Sequence, residues 1–106
     1  MSNFENVTVV RNANVYFDGN VTSRTVVFPS GEQKTLGIMM PGSYHFDTVK
    51  KELMEIQTGE VKVLLPGESE WQSYVADTSF EVPADSAFDI EVLSITDYCC
   101  SYLENG

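Results

Sequence analysis

Short runs of alternating apolar and polar residues cover the chain, and turn residues separate them. Glu60–Leu65 shows the alternation of a half-buried strand, and turns such as Asp18–Gly19–Asn20 and Pro66–Gly67 carry glycine or proline chemistry. Turns at intervals of about ten residues are typical of a β-sandwich or barrel. The pattern predicts strands over Val7–Val10, Val15–Phe17, Thr22–Phe28, Thr35–Met40, Ser43–Phe46, Glu52–Gln57, Glu60–Leu65, Trp71–Val75, Ser79–Val82, Phe88–Val92 and Asp97–Leu103.

One segment also fits a helix. Val49, Leu53 and Ile56 are spaced as on one helical face. No clear N-cap residue precedes them, however, and residues 55–63 alternate between polar and apolar on both sides of Thr58–Gly59. We therefore predict a β-hairpin closed at Thr58–Gly59.

Size and charge narrow the class of protein. The 106 residues suit one domain, 1–106, of which residues 1–13 form a less certain N-terminal extension. A formal charge of -10 repels the phosphate backbone of nucleic acids and acidic membrane surfaces. The N-terminus lacks a basic and apolar leader, and no apolar run approaches the roughly 20 residues of a membrane span. We expect a cytoplasmic protein that binds neither nucleic acid nor membrane.

Familiar catalytic signatures are absent from the sequence. It has no Gly-rich phosphate loop, no GxSxG turn around a nucleophilic serine, and no Cys/His spacing suited to zinc. His45 is the only histidine, which gives little support to a nucleophile–histidine pair. Cys99 and Cys100 are adjacent and cannot close an ordinary disulfide, so we expect both to be reduced and buried.

Half of a known metal-binding motif is present. Glu52 and Gly59, with six residues between them, reproduce the second half of the first cupin motif, G(X)5HXH(X)3-4E(X)6G. With the four-residue spacer, the two histidine positions fall on His45 and Asp47; with the three-residue spacer, neither is histidine. The chain resembles the cupins, which implies an all-β fold with a single cupin-type barrel or jelly roll.

The second cupin motif, G(X)5PXG(X)2H(X)3N, can be aligned on Pro83. This alignment puts Phe88 at the histidine position, and phenylalanine cannot bind a metal. Cupin metals are held by about three imidazoles and a carboxylate, whereas this sequence offers at most His45, Asp47 and Glu52. We expect no metal and no other cofactor. A metal-dependent oxygenase or isomerase that uses those three residues remains an alternative.

A narrower resemblance covers most of the chain, from Asn14 to Leu103. It rests on the blocks Tyr16–Gly19, Thr35–Met39, Pro41–Phe46, Gly59–Pro66, Glu70–Tyr74, Phe80–Pro83 and Cys99–Leu103. In order and spacing these blocks resemble the small cupin-fold pyrimidine/purine nucleoside phosphorylase family. The resemblance implies a cytoplasmic homodimer that cleaves diverse purine and pyrimidine nucleosides with orthophosphate, giving free base and α-D-ribose 1-phosphate. It carries over no catalytic residue by motif.

Phosphorolysis requires a site that holds phosphate beneath the sugar, binds the ribose hydroxyls and stabilises the charge that grows on the departing base. We choose Glu52 as the catalytic carboxylate, because its counterpart in cupins points into the barrel. Orthophosphate as co-substrate must be held against the negative charge of the chain by a cation or by backbone N–H groups. Lys34 precedes a strand that leads toward Gly42, and Arg24 lies in the strand before it. We slightly favour Lys34 as a catalytic residue, with Arg24 as a substrate-binding residue.

Aromatic stacking suits an enzyme that accepts both kinds of base, because every base offers a π-face. Adjacent strand residues face opposite sides, so only one of Tyr44 and His45 lines the cavity, and the two spacers of the motif predict different ones. A non-catalytic cupin that binds a sugar or small metabolite would use the same lining, and it remains the second alternative. The candidate substrate-binding residues, besides Arg24, are Tyr44, His45, Trp71, Tyr74 and Phe88.

Overall fold

Eleven β-strands make up almost all of the regular structure. The computed structural model describes residues 3–103; Met1 and Ser2 of the predicted N-terminal extension, and residues 104–106, lie outside the described residues. Each predicted strand is present, with ends shifted by two residues or fewer. The strands are β1 (Thr8–Val9), β2 (Asn14–Tyr16), β3 (Val21–Val27), β4 (Gln33–Met39), β5 (Gly42–Asp47), β6 (Lys51–Thr58), β7 (Glu60–Leu64), β8 (Gln72–Val75), β9 (Thr78–Val82), β10 (Ala87–Val92) and β11 (Thr96–Leu103).

Two antiparallel sheets pack face to face, as in a cupin. The larger sheet has seven strands in the order β1-β3-β4-β11-β6-β9, with β2 also paired to β3; the smaller has the order β5-β10-β7-β8. The expected all-β fold of cupin type is confirmed, although the two sheets do not close into a complete barrel. Within residues 3–103, no helix is long and apolar enough to span a membrane.

The predicted hairpin at Thr58–Gly59 is wrong. β6 pairs with β9 and β11, whereas β7 pairs with β8 and β10, so the chain passes from the larger to the smaller sheet at Gly59. Gly59 has φ +102°, and a Cβ there would lie 2.5 Å from Thr96 Oγ1. Alternation and turn residues predict that the chain bends, but they do not distinguish a hairpin from a corner between sheets.

The space between the sheets is apolar at one end and polar at the other. On β3 the inward side chains change from Val21 to Ser23, and on β6 from Ile56 to Glu52. The apolar end is filled by a close-packed core. The polar end is not filled, which leaves a cavity.

Candidate active site

A cavity of about 1030 Å³ lies between the two sheets at their polar end. This volume is at the upper end of the range of about 300–1,000 Å³ that small-molecule sites occupy. The lining includes exposed residues 30–32 of the β3–β4 turn and exposed residues 49 and 50 between β5 and β6. The cavity is therefore large enough for a small-molecule substrate, and two loops contribute exposed residues to its lining.

Hydroxyl groups cover the face that the larger sheet presents to the cavity. Ser23 and Thr35 are each 5 % exposed. Burial raises the pKa of Tyr98 and Tyr102, and interaction with the Ser23 side chain partly opposes this for Tyr98, as interaction with the Thr35 side chain does for Tyr102. Asn14 Nδ2 donates to Ser23 Oγ at 3.2 Å. We call these five residues the hydroxyl floor.

A glycine makes room for the central tyrosine of this floor. Gly37 lies between Ser23 and Tyr98 in the cross-strand register of β3, β4 and β11. A Cβ on Gly37 would lie 2.8 Å from Cζ and from the hydroxyl oxygen of Tyr98. Since Gly37 has no side chain, the Tyr98 ring lies across it and reaches the strand beyond.

Glu52 extends into the cavity from β6. It is the cross-strand partner of Tyr102 on β11. Burial raises the pKa of the Glu52 carboxyl, and a hydrogen bond with the Cys100 side chain partly opposes this. Burial, followed by the negative charge of Glu52, raises the pKa of the Cys100 thiol. Glu52 therefore keeps its proton to higher pH than an exposed glutamate does, and Cys100 stays a thiol.

Lys50 is the cation of the cavity. It precedes Glu52 by two residues, and among the residues described it is the one lysine or arginine in the lining. Lys50 is exposed and lies in the bend just before β6. The carboxylates of Glu32, Asp47 and Glu52 also line the cavity. The local charge is thus one ammonium group among three acidic groups.

Three aromatic side chains meet at one side of the cavity. Phe46 and Phe88, on neighbouring strands of the smaller sheet, stack with ring centroids 5.6 Å apart and an interplanar angle of 26°. Tyr16, at the end of β2, meets Phe46 edge-on, with centroids 6.4 Å apart. All three rings line the cavity. We call Tyr16, Phe46 and Phe88 the aromatic wall.

The two predicted phosphate-binding cations lie outside this cavity. Lys34 Nζ lies 5.5 Å from the ring centroid of Phe4 and 5.8 Å from that of Phe28. Arg24 is exposed, and its Nε donates to the backbone oxygen of Arg11 at 3.3 Å. Strand alternation explains both positions, because the neighbouring residues of Lys34 and Arg24 are the ones that face inward. Lys50 lies in the bend before β6, where strand alternation makes no prediction.

Three of the predicted aromatic residues also lie elsewhere. Tyr44 faces inward but is 9 % exposed and belongs to the core, where its hydroxyl donates to the backbone oxygen of Met40 at 2.7 Å. Trp71 and Tyr74 do not line the cavity, and Tyr74 packs against Phe80 with centroids 4.7 Å apart. Of the four predicted rings, Phe88 is the one in the lining.

His45 lies on the outer face of the smaller sheet, with 59 % of its side chain exposed. Its Nδ1 is 2.7 Å from Asp89 Oδ1, and its Nε2 is 3.4 Å from Asp47 Oδ1. The hydrogen bond with Asp89 raises the pKa of His45, and the charges of Asp89 and Asp47 add to this effect against the opposing effect of desolvation. His45 therefore does not line the cavity that Glu52 enters.

The donor groups present do not fit a cupin metal. Such a site uses about three imidazoles and a carboxylate, whereas this chain has one histidine, which faces away from the cavity. Over residues 3–103 no group of three or more His, Cys, Asp and Glu side chains is placed to hold a metal ion. The set His45, Asp47 and Glu52 is consequently not assembled.

Comparison with known proteins identifies the family. A model of the pyrimidine/purine nucleoside phosphorylase family matches residues 11–102. The chain belongs to this family. A pyrimidine/purine nucleoside phosphorylase of Geotalea uraniireducens is 59% identical over 104 residues, which are 98% of this chain and 100% of the relative. One of Leptospira interrogans is 56% identical over 106 residues, all of both chains. The resemblance predicted from the order of sequence blocks is confirmed.

Solved structures agree with this fold. A protein of unknown function from Acinetobacter sp. ADP1 has a TM-score of 0.92 at 40% identity, covering 95% of this chain and 98% of that one. A Vibrio parahaemolyticus protein of unknown function has a TM-score of 0.82 at 36% identity, covering 87% and 97%. The Clostridium difficile EutQ protein, at 12% identity and a TM-score of 0.64 over 77% of this chain and 67% of that one, shares the fold alone.

Proposed function

We propose that the protein catalyses phosphorolysis of purine and pyrimidine nucleosides. An oxygen of orthophosphate bonds to C1′ of the pentose as the bond from C1′ to the base nitrogen breaks. The base leaves with the electron pair and takes up a proton, and the other product is a pentose 1-phosphate, α-D-ribose 1-phosphate from a ribonucleoside. The family match over residues 11–102 is the observation that carries this proposal.

Glu52 is proposed as the acid that assists departure of the base. The C1′ centre becomes oxocarbenium-like as the bond breaks, and negative charge grows on the base. A carboxyl group whose pKa burial has raised can donate a hydrogen bond, and then a proton, to that base. The Cys100 thiol beside it provides a hydrogen-bonding partner without adding charge.

Lys50 is proposed as the phosphate-binding cation. It lines the cavity together with Glu52 and lies in the bend just before β6, and the Cα atoms of residues two apart in the chain are at most about 7 Å apart. Displacement at C1′ puts the attacking phosphate and the departing base on opposite sides of the sugar. A cation and an acid at this separation suit a pentose held between them.

The remaining surfaces suit the pentose and the base. The hydroxyl floor offers donors and acceptors to the pentose hydroxyls. The aromatic wall offers π-faces on which both purines and pyrimidines can stack. Stacking does not depend on the hydrogen-bonding groups that differ between the bases. Of the residues predicted from the sequence, Glu52 and Phe88 keep their proposed roles, and Lys50, Tyr16 and Phe46 join them.

We further propose a cytoplasmic homodimer that needs no cofactor beyond orthophosphate as co-substrate. The β1–β2 edge of the larger sheet exposes apolar side chains, with Val9 at 55 % and Val15 at 62 %. Edge strands of this kind are commonly covered by pairing across a two-fold axis. Sedimentation or light scattering of the purified protein would test the dimer directly.

One observation favours a second function, a non-catalytic cupin that binds a sugar or small metabolite. The carboxylates of Glu32 and Asp47 line the same cavity as Lys50 and oppose the entry of an anion. A neutral sugar would not be repelled by these carboxylates, and its hydroxyl groups could hydrogen-bond to the hydroxyl floor.

An assay with and without phosphate separates these functions. Purified protein is incubated with uridine or adenosine, and free base is measured by chromatography. Phosphorolysis predicts base release that requires phosphate and continues unchanged in the presence of a metal chelator. Binding of the nucleoside without release of base under any condition would favour the binding cupin. Stoichiometric iron or manganese in the purified protein, with activity lost to the chelator, would contradict the metal-free mechanism.

A further inference from the structure

A bulky residue adopts a left-handed backbone conformation next to the cavity. Five non-glycine residues within 3–103 have positive φ, and four of them, Asn6, Asp18, Asp77 and Asp85, are of the types that tolerate it. The fifth is Phe17, with φ +52°. For a large side chain this conformation is strained, and such strain is often found at functional sites.

A closed ring of contacts holds Phe17 in place. Its backbone oxygen accepts hydrogen bonds from Asn20 N at 3.1 Å and Asn20 Nδ2 at 3.0 Å. The oxygen of Asn20 accepts from Met40 N at 2.8 Å, and the oxygen of Met40 accepts from the Tyr44 hydroxyl at 2.7 Å. The Tyr44 ring then meets the Phe17 ring, with centroids 4.9 Å apart. These hydrogen bonds and the ring contact hold the left-handed turn in place, while Phe17 itself remains 43 % exposed.

Phe17 touches the aromatic wall but does not line the cavity. Its ring meets that of Phe46 edge-on, with centroids 5.4 Å apart and an interplanar angle of 90°. The preceding residue, Tyr16, also meets Phe46 edge-on, with centroids 6.4 Å apart, and both Tyr16 and Phe46 line the cavity. Phe17 thus contacts Phe46 directly, and its left-handed turn comes immediately after Tyr16, a residue of the cavity lining.

We propose that Phe17 is a positioning residue for base binding: through its left-handed turn and its ring, it holds Tyr16 and Phe46 as one wall against the nucleobase. This inference rests on the proposed function of the cavity. Phe17 acts on the base through these two residues and makes no contact with phosphate or with Glu52. Its loss should weaken binding of the base and leave the chemical step unchanged.

Three variants test this role. Phe17→Gly removes the ring and relieves the left-handed strain, whereas Phe17→Tyr keeps the ring. Asp77→Gly is the matched control, because Asp77 is another turn residue with positive φ, +68°, and lies outside the cavity lining. For each, KM and kcat are measured for uridine and adenosine, KM for phosphate, and the Kd of free adenine and uracil by calorimetry. Circular dichroism checks the fold.

The expected result is a change confined to base recognition. Phe17→Gly raises the nucleoside KM and the base Kd by roughly fivefold to tenfold, as expected for a lost aromatic contact. Its kcat and phosphate KM stay within about twofold, and Phe17→Tyr and Asp77→Gly match the original chain in all constants. If Phe17→Gly does not fold, Phe17→Leu is used instead, because it keeps apolar bulk without the ring. It must show a raised nucleoside KM and base Kd with kcat and phosphate KM unchanged.

Some results would overturn the inference while leaving the proposed function intact. A folded Phe17→Gly protein with unchanged nucleoside KM and base Kd removes Phe17 from base positioning, although phosphorolysis by the original chain still stands. Conversely, if the original chain binds bases but does not cleave nucleosides, the proposed function is refuted. The role of Phe17 is then decided by the base Kd alone, which should still be raised in Phe17→Gly. An original chain that binds no base contradicts both.

Discussion

Glu52 and His45 both fall at positions of the first cupin motif when its four-residue spacer is used. Glu52 nevertheless lies in the cavity, whereas His45 lies on the outer face of the smaller sheet. Glu52 is inside the cavity, where burial raises the pKa of its carboxyl by disfavouring the charged form. His45 is on the outside, where a hydrogen bond with Asp89 raises the pKa of its ring by favouring the charged form. The two pKa values move in the same direction for opposite reasons. Location relative to the sheet, more than place in a motif, decides which residue can do chemistry.

The largest difference between the two regions should appear in turnover. We expect Glu52→Gln to lower kcat about 100-fold or more, because the proposed acid can no longer give up a proton. His45→Gln should stay within about twofold. Steady-state rates of base release across pH would check this: the original chain should lose activity as pH rises through the Glu52 pKa, and Glu52→Gln should lack that decline. Equal losses of kcat in Glu52→Gln and His45→Gln would contradict the proposed difference between the two residues.

Glu52→Gln should also leave the fold intact. A carboxyl whose pKa is higher in the folded than in the unfolded state makes the fold less stable as pH rises between the two values. Removing that carboxyl removes this penalty, so the melting temperature at neutral pH should be equal to or above that of the original chain. A marked fall in melting temperature would mean that the lost activity reflects unfolding.

The next largest difference should separate two lysines. Lys50→Ala should raise the KM for phosphate about tenfold, since a charge-assisted contact with the anion is lost, with a much smaller change in nucleoside KM. Lys34→Ala is the matched control, because Lys34 lies over Phe4 and Phe28 outside the cavity lining. Initial rates over a range of phosphate concentration would measure both. A raised phosphate KM for Lys34→Ala alone would restore the interpretation made from the sequence.

The smallest effect should be a pH-dependent contribution of His45 to stability. Because its folded pKa is raised above the ordinary 6.5, the interaction with Asp89 stabilises the fold fully below about pH 6.5. The contribution is lost as pH rises through the folded pKa. Melting temperatures of the original chain and His45→Gln should thus differ slightly at acidic pH and converge at alkaline pH. A difference that grows with pH would contradict the assigned charge state.

Local sequence patterns were enough to predict the strands, but not which strands pair with one another in each sheet. Alternation and turn residues are properties of neighbouring positions, which is why each of the eleven strands could be placed to within two residues. The partners of β6 and β7 depend instead on packing across the whole domain. The close approach of Gly59 to Thr96, which marks the corner between sheets, involves residues far apart in sequence.

The candidate site was predictable where one strand carried the signal. Glu52 followed from the motif, whereas Lys50 lies in the bend before β6, outside the reach of strand alternation. Tyr16 and Phe46 were missed because they meet only when the ends of β2 and β5 are brought together. The hydroxyl floor likewise requires knowledge of which strands are neighbours, and Gly37 became meaningful only once Tyr98 was found to lie across it.

Phosphorus NMR of a single reaction tests the central claim most directly. Purified protein is mixed with uridine and orthophosphate, and the phosphorus signals are followed while uracil is measured in the same sample. Our account predicts that orthophosphate declines as pentose 1-phosphate and uracil appear in equal amounts, and that Glu52→Gln slows all three changes together. Release of uracil with orthophosphate unchanged, or no uracil at all from folded protein, would contradict it.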